Sequence, residues 1–173
     1  MKRPDPRQLI ENSGLFKQDS FDWILEIILS NKEASYGSID RKIRTKGELL
    51  SEDEITKLGL RPNVKVSTRY YHALSDKGKK DILGSAFLIM QRILHADSVF
   101  QQHEQIGRST SNAEDCYEAE VMIPNDGDDE GHHACNAARD MQGKRFPFNA
   151  VPDLPLPKCD TAHCRCMFRY QRK

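Results

Sequence analysis

No run in these 173 residues approaches the ~18–20 apolar positions that a helix needs to cross a bilayer. No membrane partner is therefore expected. The start, Met1-Lys2-Arg3-Pro4-Asp5-Pro6, is charged and lacks a following apolar stretch. No secretory leader is expected, and a cytoplasmic setting is. Net charge is missing too: Lys plus Arg and Asp plus Glu both number 26, leaving no global field to steer the chain to nucleic acid or lipid. There is no phosphate-binding loop, no HExxH zinc helix and no GxSxG nucleophile turn. No CxxC pair of the thioredoxin type occurs. These absences make an enzyme the minority expectation. Tryptophan is reduced to one, Trp23, which reads as a core anchor rather than a ligand-stacking face.

Helical periodicity dominates the first two thirds. Phe21, Ile24, Ile27 and Ile28 share one face of a helix over 20–30, with Asp19 or Ser20 as its cap. Residues 31–48 read as a connector that includes the basic run Arg41-Lys42-Ile43-Arg44-Thr45-Lys46, a solvated face before it is a phosphate contact. Ser51-Glu52-Asp53-Glu54 is a capping box, with Leu50 and Ile55 at the hydrophobic-staple positions. Gly59 supplies the left-handed residue after that helix. Ser67 caps a third helix through about Leu74, and Ser75 to Gly78 reads as a break. From about Lys79 to Gln105 the stripe Ile82, Ala86, Ile89, Ile93, Ala96 and Phe100 predicts one long spine helix.

A Ser/Thr/Asn/Gly stretch, 108–115, reads as a linker. It divides a helical domain, 1–107, from a small cysteine-rich α/β module, 116–173. In the module, Tyr117, Ala119, Val121 and Ile123 alternate with Glu118 and Glu120, the pattern of a half-buried strand. Asp126, Asp128, Glu130 and Gly131 imitate the start of a calcium loop. Ala137 stands where the bidentate Glu belongs, so a solvated turn is the reading. Residues 132–141 predict a short helix, and 144–157, with four prolines, an extended arm. Cys164 to Arg172 alternates again and should pair with 117–123. The expected class is α+β: an N-terminal helical domain with one spine helix, then a cysteine-clamped module with an antiparallel strand pair.

Of the five cysteines, Cys159, Cys164 and Cys166 lie close together and Cys135 lies upstream of the Pro-rich arm. Zinc takes four converging soft or borderline ligands. Cys135, Cys159, Cys164 and Cys166 are the candidate set, with His163, His132 and His133 as alternatives. Such a staple would serve a module with little core of its own. Two readings compete: structural thiols or a disulfide, and a redox pair of Cys159 with Cys164 or Cys164 with Cys166, where Arg165 would favour the thiolate. Cys116 reads as a packed thiol.

The tail residues Cys135, Arg139, Met141, Gly143-Lys144, Phe146-Pro147, Pro152, Leu154-Pro155-Leu156-Pro157 and Cys164-Arg165-Cys166 resemble the C-terminal signature of phage minor head morphogenesis proteins. They are also similar to the tail of small uncharacterised bacterial proteins, which carry a further cysteine at the place of Cys159. The resemblance covers about 32 residues. Ala138 stands where the phage pattern commonly has a second cysteine, Lys158 to His163 is inserted, and the long N-terminal region of those proteins has no counterpart. The resemblance implies a cysteine-clamped hairpin module.

Three functions remain open. The first is a non-enzymatic intracellular protein that binds a protein partner through the zinc- or cysteine-stabilised module. The second is nucleic-acid binding by the basic 36–80 region, which holds 11 Lys/Arg against 6 Asp/Glu, with Arg61, Lys65 and Arg69 near phosphates of a helix-turn-helix imitation. The third is a thiol redox protein.

Overall fold

The computed structural model describes residues 1–123, 135–156, 159, 161 and 166–173. By its internal contacts the chain divides into Pro6–Gln91 and a second unit made of Arg92–Lys173 with Met1–Asp5.

The N-terminal unit is built from short capped helices. Its first helices are α1 (Pro6–Ser13) and α2 (Phe21–Leu29), with a 3-10 turn, Gln18–Ser20, between them. Phe21, Ile24, Ile27 and Ile28 are buried on α2, as their spacing requires, and so is Trp23. Ser20 makes no capping bond; its hydroxyl donates to Lys17 O at 2.5 Å instead. The expected connector 31–48 holds a helix, α3 (Tyr36–Arg44), capped by Ser35 and burying Ile39 and Ile43. The basic run masked that pattern, because only one side of α3 is solvated.

The capping box of Ser51 and Glu54 forms on α4 (Glu52–Lys57), and Gly59 takes φ +74°. Ser67 accepts from Tyr70 N to start α5 (Thr68–Ala73). The expected break at 75–78 is itself a one-turn helix, α6 (Asp76–Lys79), because the Ser75 hydroxyl caps Gly78 N. The spine helix, α7, runs Gly84–Ser109, later at both ends than the apolar stripe suggested. Its start is set by polar groups: Asp81 Oδ1 accepts from Gly84 N at 2.9 Å. The buried Tyr70 hydroxyl donates to Ile82 O at 2.7 Å and accepts from Ala86 N at 3.2 Å. Its end continues through Gly107 to Ser109, so the proposed linker begins inside a helix. The boundary between units also falls within α7, between Gln91 and Arg92.

In the C-terminal unit, α8 (Ala113–Cys116) leads into β1 (Tyr117–Met122). Then come α9 (Asn136–Met141), β2 (Arg145–Pro147), a 3-10 turn, Phe148–Ala150, and β3 (Met167–Arg172). The antiparallel sheet has the order β2-β1-β3. The expected pairing of the tail with 117–123 is present, with Ala119 opposite Tyr170 and Val121 opposite Phe168. The Pro-rich arm is not simply extended. Its start, Arg145–Pro147, pairs with Glu118–Glu120 to make a third strand. Pro147 closes that short edge strand, since it has no N–H to extend the ladder. The fold is α+β with one long helix, as the sequence predicts.

Candidate cysteine centre

The inner face of the sheet carries one apolar cluster: Val99 from α7, Ala119 and Val121 from β1, Ala138 from α9, Val151, Leu154 and Leu156 from the arm, and Phe168 from β3. Cys135 and Cys166 belong to the same cluster, 1% and 3% exposed, and Cys159 packs against it. Thus three of the four candidate ligands, from three separate segments, reach one core. Cys164 lies outside the described residues, as do His132, His133, His163 and the acidic loop 125–131. Cys116 is exposed, which corrects its reading as a packed thiol: it closes α8, one residue before the sheet begins.

Each described cysteine is fixed locally. Cys135 is the N-cap of α9, and its Sγ accepts from Ala138 N at 3.3 Å. A sulfur facing helical N–H groups sits where negative charge is favoured. Cys159 N donates to Leu156 O at 3.0 Å. Its Sγ lies 3.5 Å from Thr161 O and 3.9 Å from Arg92 Nη1. The Cys166 carbonyl is 2.8 Å from His95 Nε2. A carbonyl can only accept, so that contact requires the proton on Nε2.

These contacts introduce residues that spacing did not single out. Arg92, His95, Val99 and His103 follow one another at three- and four-residue intervals, so they share one face of α7. That face differs from the stripe ending at Phe100, which is only half-buried; the Arg3 guanidinium lies 6.0 Å from the Phe100 ring centre. Arg92 is 4% exposed and His103 6%. Arg92 Nη1 donates to Thr161 O at 2.5 Å. Farther along, His103 stacks on Phe148 at 4.2 Å, and its Nδ1 lies 2.9 Å from the Tyr170 hydroxyl. Burial, helped by the positive amino terminus, lowers the His103 pKa below its ordinary 6.5. Burial also raises that of Tyr170. The available signal was polar residues inside an apolar helix face, since a buried Arg or His needs a partner.

Zinc fits the donor type here, since sulfur is a soft ligand and Cys135 already accepts an N–H bond of the kind a bound thiolate accepts. Among the described residues, no group of three or more His, Cys, Asp or Glu side chains is gathered to hold a metal ion. Cys135, Cys159 and Cys166 therefore share a core without forming a ligand group among themselves, and Cys164, the fourth candidate, lies outside the described residues.

The nucleic-acid candidates lie elsewhere. Arg61 and Lys65 are exposed in the connection between α4 and α5. That connection, Leu58 through Ser67, is longer than the roughly three- or four-residue turn of a helix-turn-helix. The Arg69 guanidinium sits 4.8 Å from the Trp23 ring centre, a cation–π contact that holds it against its own unit. Two surface grooves, one containing Lys42 and Lys46 and the other Arg3 and Arg108, are lined by neither His nor Cys. No helix among the described residues is long and apolar enough to cross a membrane.

No protein-family model, curated protein or solved structure matches the chain.

Proposed function

We propose that this chain is a non-enzymatic protein whose C-terminal unit is a partner-binding module stapled by zinc through Cys135, Cys159, Cys164 and Cys166. The observation that carries this reading is that Cys135 and Cys166 are buried in one apolar cluster against which Cys159 also packs. The sheet already packs an apolar cluster on its inner face, and a metal staple would add folding free energy to that core. The tail's resemblance to the phage minor head signature supports a self-contained cysteine-clamped hairpin. The outer face of the sheet, where Met167 is 40% exposed, is the surface offered to a protein partner.

The test is metal analysis of full-length protein purified under reducing conditions. Close to one equivalent of zinc is expected, lost in Cys135→Ser and in Cys166→Ser, with the wild type destabilised by a chelator. Folded wild-type protein that carries no zinc, and whose melting is indifferent to chelator and to added zinc, would refute the staple. For the partner surface, a photoreactive residue at Met167 should give a discrete adduct that one at the exposed Gln142 does not. Equal labelling, or none, at both positions rejects it.

A further inference from the structure

We propose that β3 is the docking edge of the C-terminal unit, taking an extended, acidic peptide segment as a fourth, antiparallel strand. The inference rests on the partner-binding reading above and not on the zinc staple.

The sheet has two edges, β2 and β3. β2 is three residues long and ends in Pro147, which blunts it. β3 has six residues, Met167–Arg172, and no proline. The register fixes which of its backbone groups face outward. Lys173 N donates to Cys116 O at 3.0 Å, and Gln171, Arg169 and Met167 stand opposite Glu118, Glu120 and Met122. Bonded and non-bonded pairs alternate along an antiparallel ladder, so these residues turn their N–H and C=O groups toward β1. Val121 N donates to Lys144 O, on the β2 side, at 3.2 Å, which agrees: odd-numbered residues of β1 bond toward β2 and even-numbered ones toward β3. Phe168, Tyr170 and Arg172 then turn their N–H and C=O groups to the open side. Those groups have no hydrogen-bond partner among the described residues. An extended peptide satisfies such a row by adding a strand.

Charge selects the peptide. β3 and the residue after it carry Arg169, Arg172 and Lys173, all exposed, and no acid. Arg169 donates through Nη2 to Glu120 at 2.8 Å, yet 55% of its side chain is exposed. Glu120 is shared, since it also accepts from Gln171 at 2.8 Å, and Glu118 lies one strand farther from the edge. The same cations work against a second copy. Any two-fold antiparallel register centred on β3 sets Arg169 opposite or diagonal to its counterpart or to a second Lys173, and like charges so placed repel. In an added antiparallel strand, the residues bonded to Phe168, Tyr170 and Arg172 share the inner face with them. Residues beside Arg169 and Lys173 lie on the outer face and point their own N–H groups away from β3. The ligand is thus defined by acids at alternate positions and by free N–H groups at the positions between.

The experiment uses the full chain and a dye-labelled peptide, longer than β3, in which glutamate and threonine alternate, with binding read by fluorescence anisotropy. Saturable binding is expected. A peptide with glutamine in place of glutamate should bind about tenfold more weakly, the scale of two or three exposed cross-strand charge pairs. N-methylation of the threonines should abolish binding, because it removes the N–H groups that face β3; N-methylation of the glutamates should not. Arg169→Gln, which keeps a donor for Glu120, should narrow the preference for glutamate over glutamine. A glutamate peptide that binds no better than the glutamine one, or a threonine-methylated peptide that binds as well as its parent, would overturn the assignment. No peptide binding, with the photoreactive residue at Met167 still giving its adduct, would overturn the edge and leave the partner reading standing; failure of both removes both. A wild-type dimer in sedimentation that Arg172→Pro dissociates, by deleting an outward N–H, would give the edge to a second copy and overturn the assignment too.

Discussion

Replacing a helical glycine with alanine usually stabilises a protein, by up to about 1 kcal/mol. Gly78→Ala in α6 should do the opposite. Gly78 is buried. A Cβ built on it would lie 2.1 Å from Leu15 O and 3.0 Å from Leu74 Cδ2. The first of these is a backbone atom and cannot rotate away. A carbon and a carbonyl oxygen need about 3.3 Å, so the two segments would have to part by about 1.2 Å. They are joined there by Ser75 N to Leu15 O at 3.0 Å and Lys17 N to Ala73 O at 2.8 Å. The Ser75 hydroxyl adds a bond to Gly14 O at 2.6 Å. Losing three such bonds costs about 3 kcal/mol, and the propensity gain returns about 1 kcal/mol. A net loss of roughly 2 kcal/mol follows. Urea unfolding followed by Trp23 fluorescence reads it directly, since the lone tryptophan is in the same unit as Gly78. Gly37→Ala is the control: it lies in α3 with nothing within 4 Å of the added Cβ, and should gain about 0.5 kcal/mol. Gly78→Ala as stable as wild type would refute the close-approach argument.

Other expectations follow from the same geometry. Tyr70→Phe keeps the ring but strands Ile82 O and Ala86 N at the start of α7; a loss of about 2 kcal/mol in the same urea assay is expected. His103 is held neutral in the fold, with a pKa below 6.5. The unfolded chain then takes up the proton first as pH falls, so this contribution is intact above about pH 6.5 and declines below it. A His103→Leu variant should show a flatter stability profile between pH 7.5 and 5, and NMR titration of His103 should give a midpoint under 6.5. A midpoint at or above 6.5 rejects the burial argument.

Several elements were legible because their signals are local. The capping box at Ser51 and Glu54, the left-handed Gly59, the Ser67 cap and the alternation of β1 and β3 each depend on residues a few positions apart. The chain has little freedom to satisfy those groups in another way. The candidate cysteines were legible as residue types, but only long-range packing buries Cys135 and Cys166 in one cluster and sets Cys159 against it. Hydroxyl and carboxyl groups from other turns decided the limits of α7. Pairing with β1 made a strand of Arg145–Pro147, within a run whose prolines marked it only as extended. Arg92 and His95 read as ordinary helix polar residues in the sequence. Folding selects the face of α7 that meets the tail, and that choice buries a cation beside Cys159. Local bonding chemistry is written in neighbouring residues, whereas burial and counter-charge depend on segments that meet only in three dimensions.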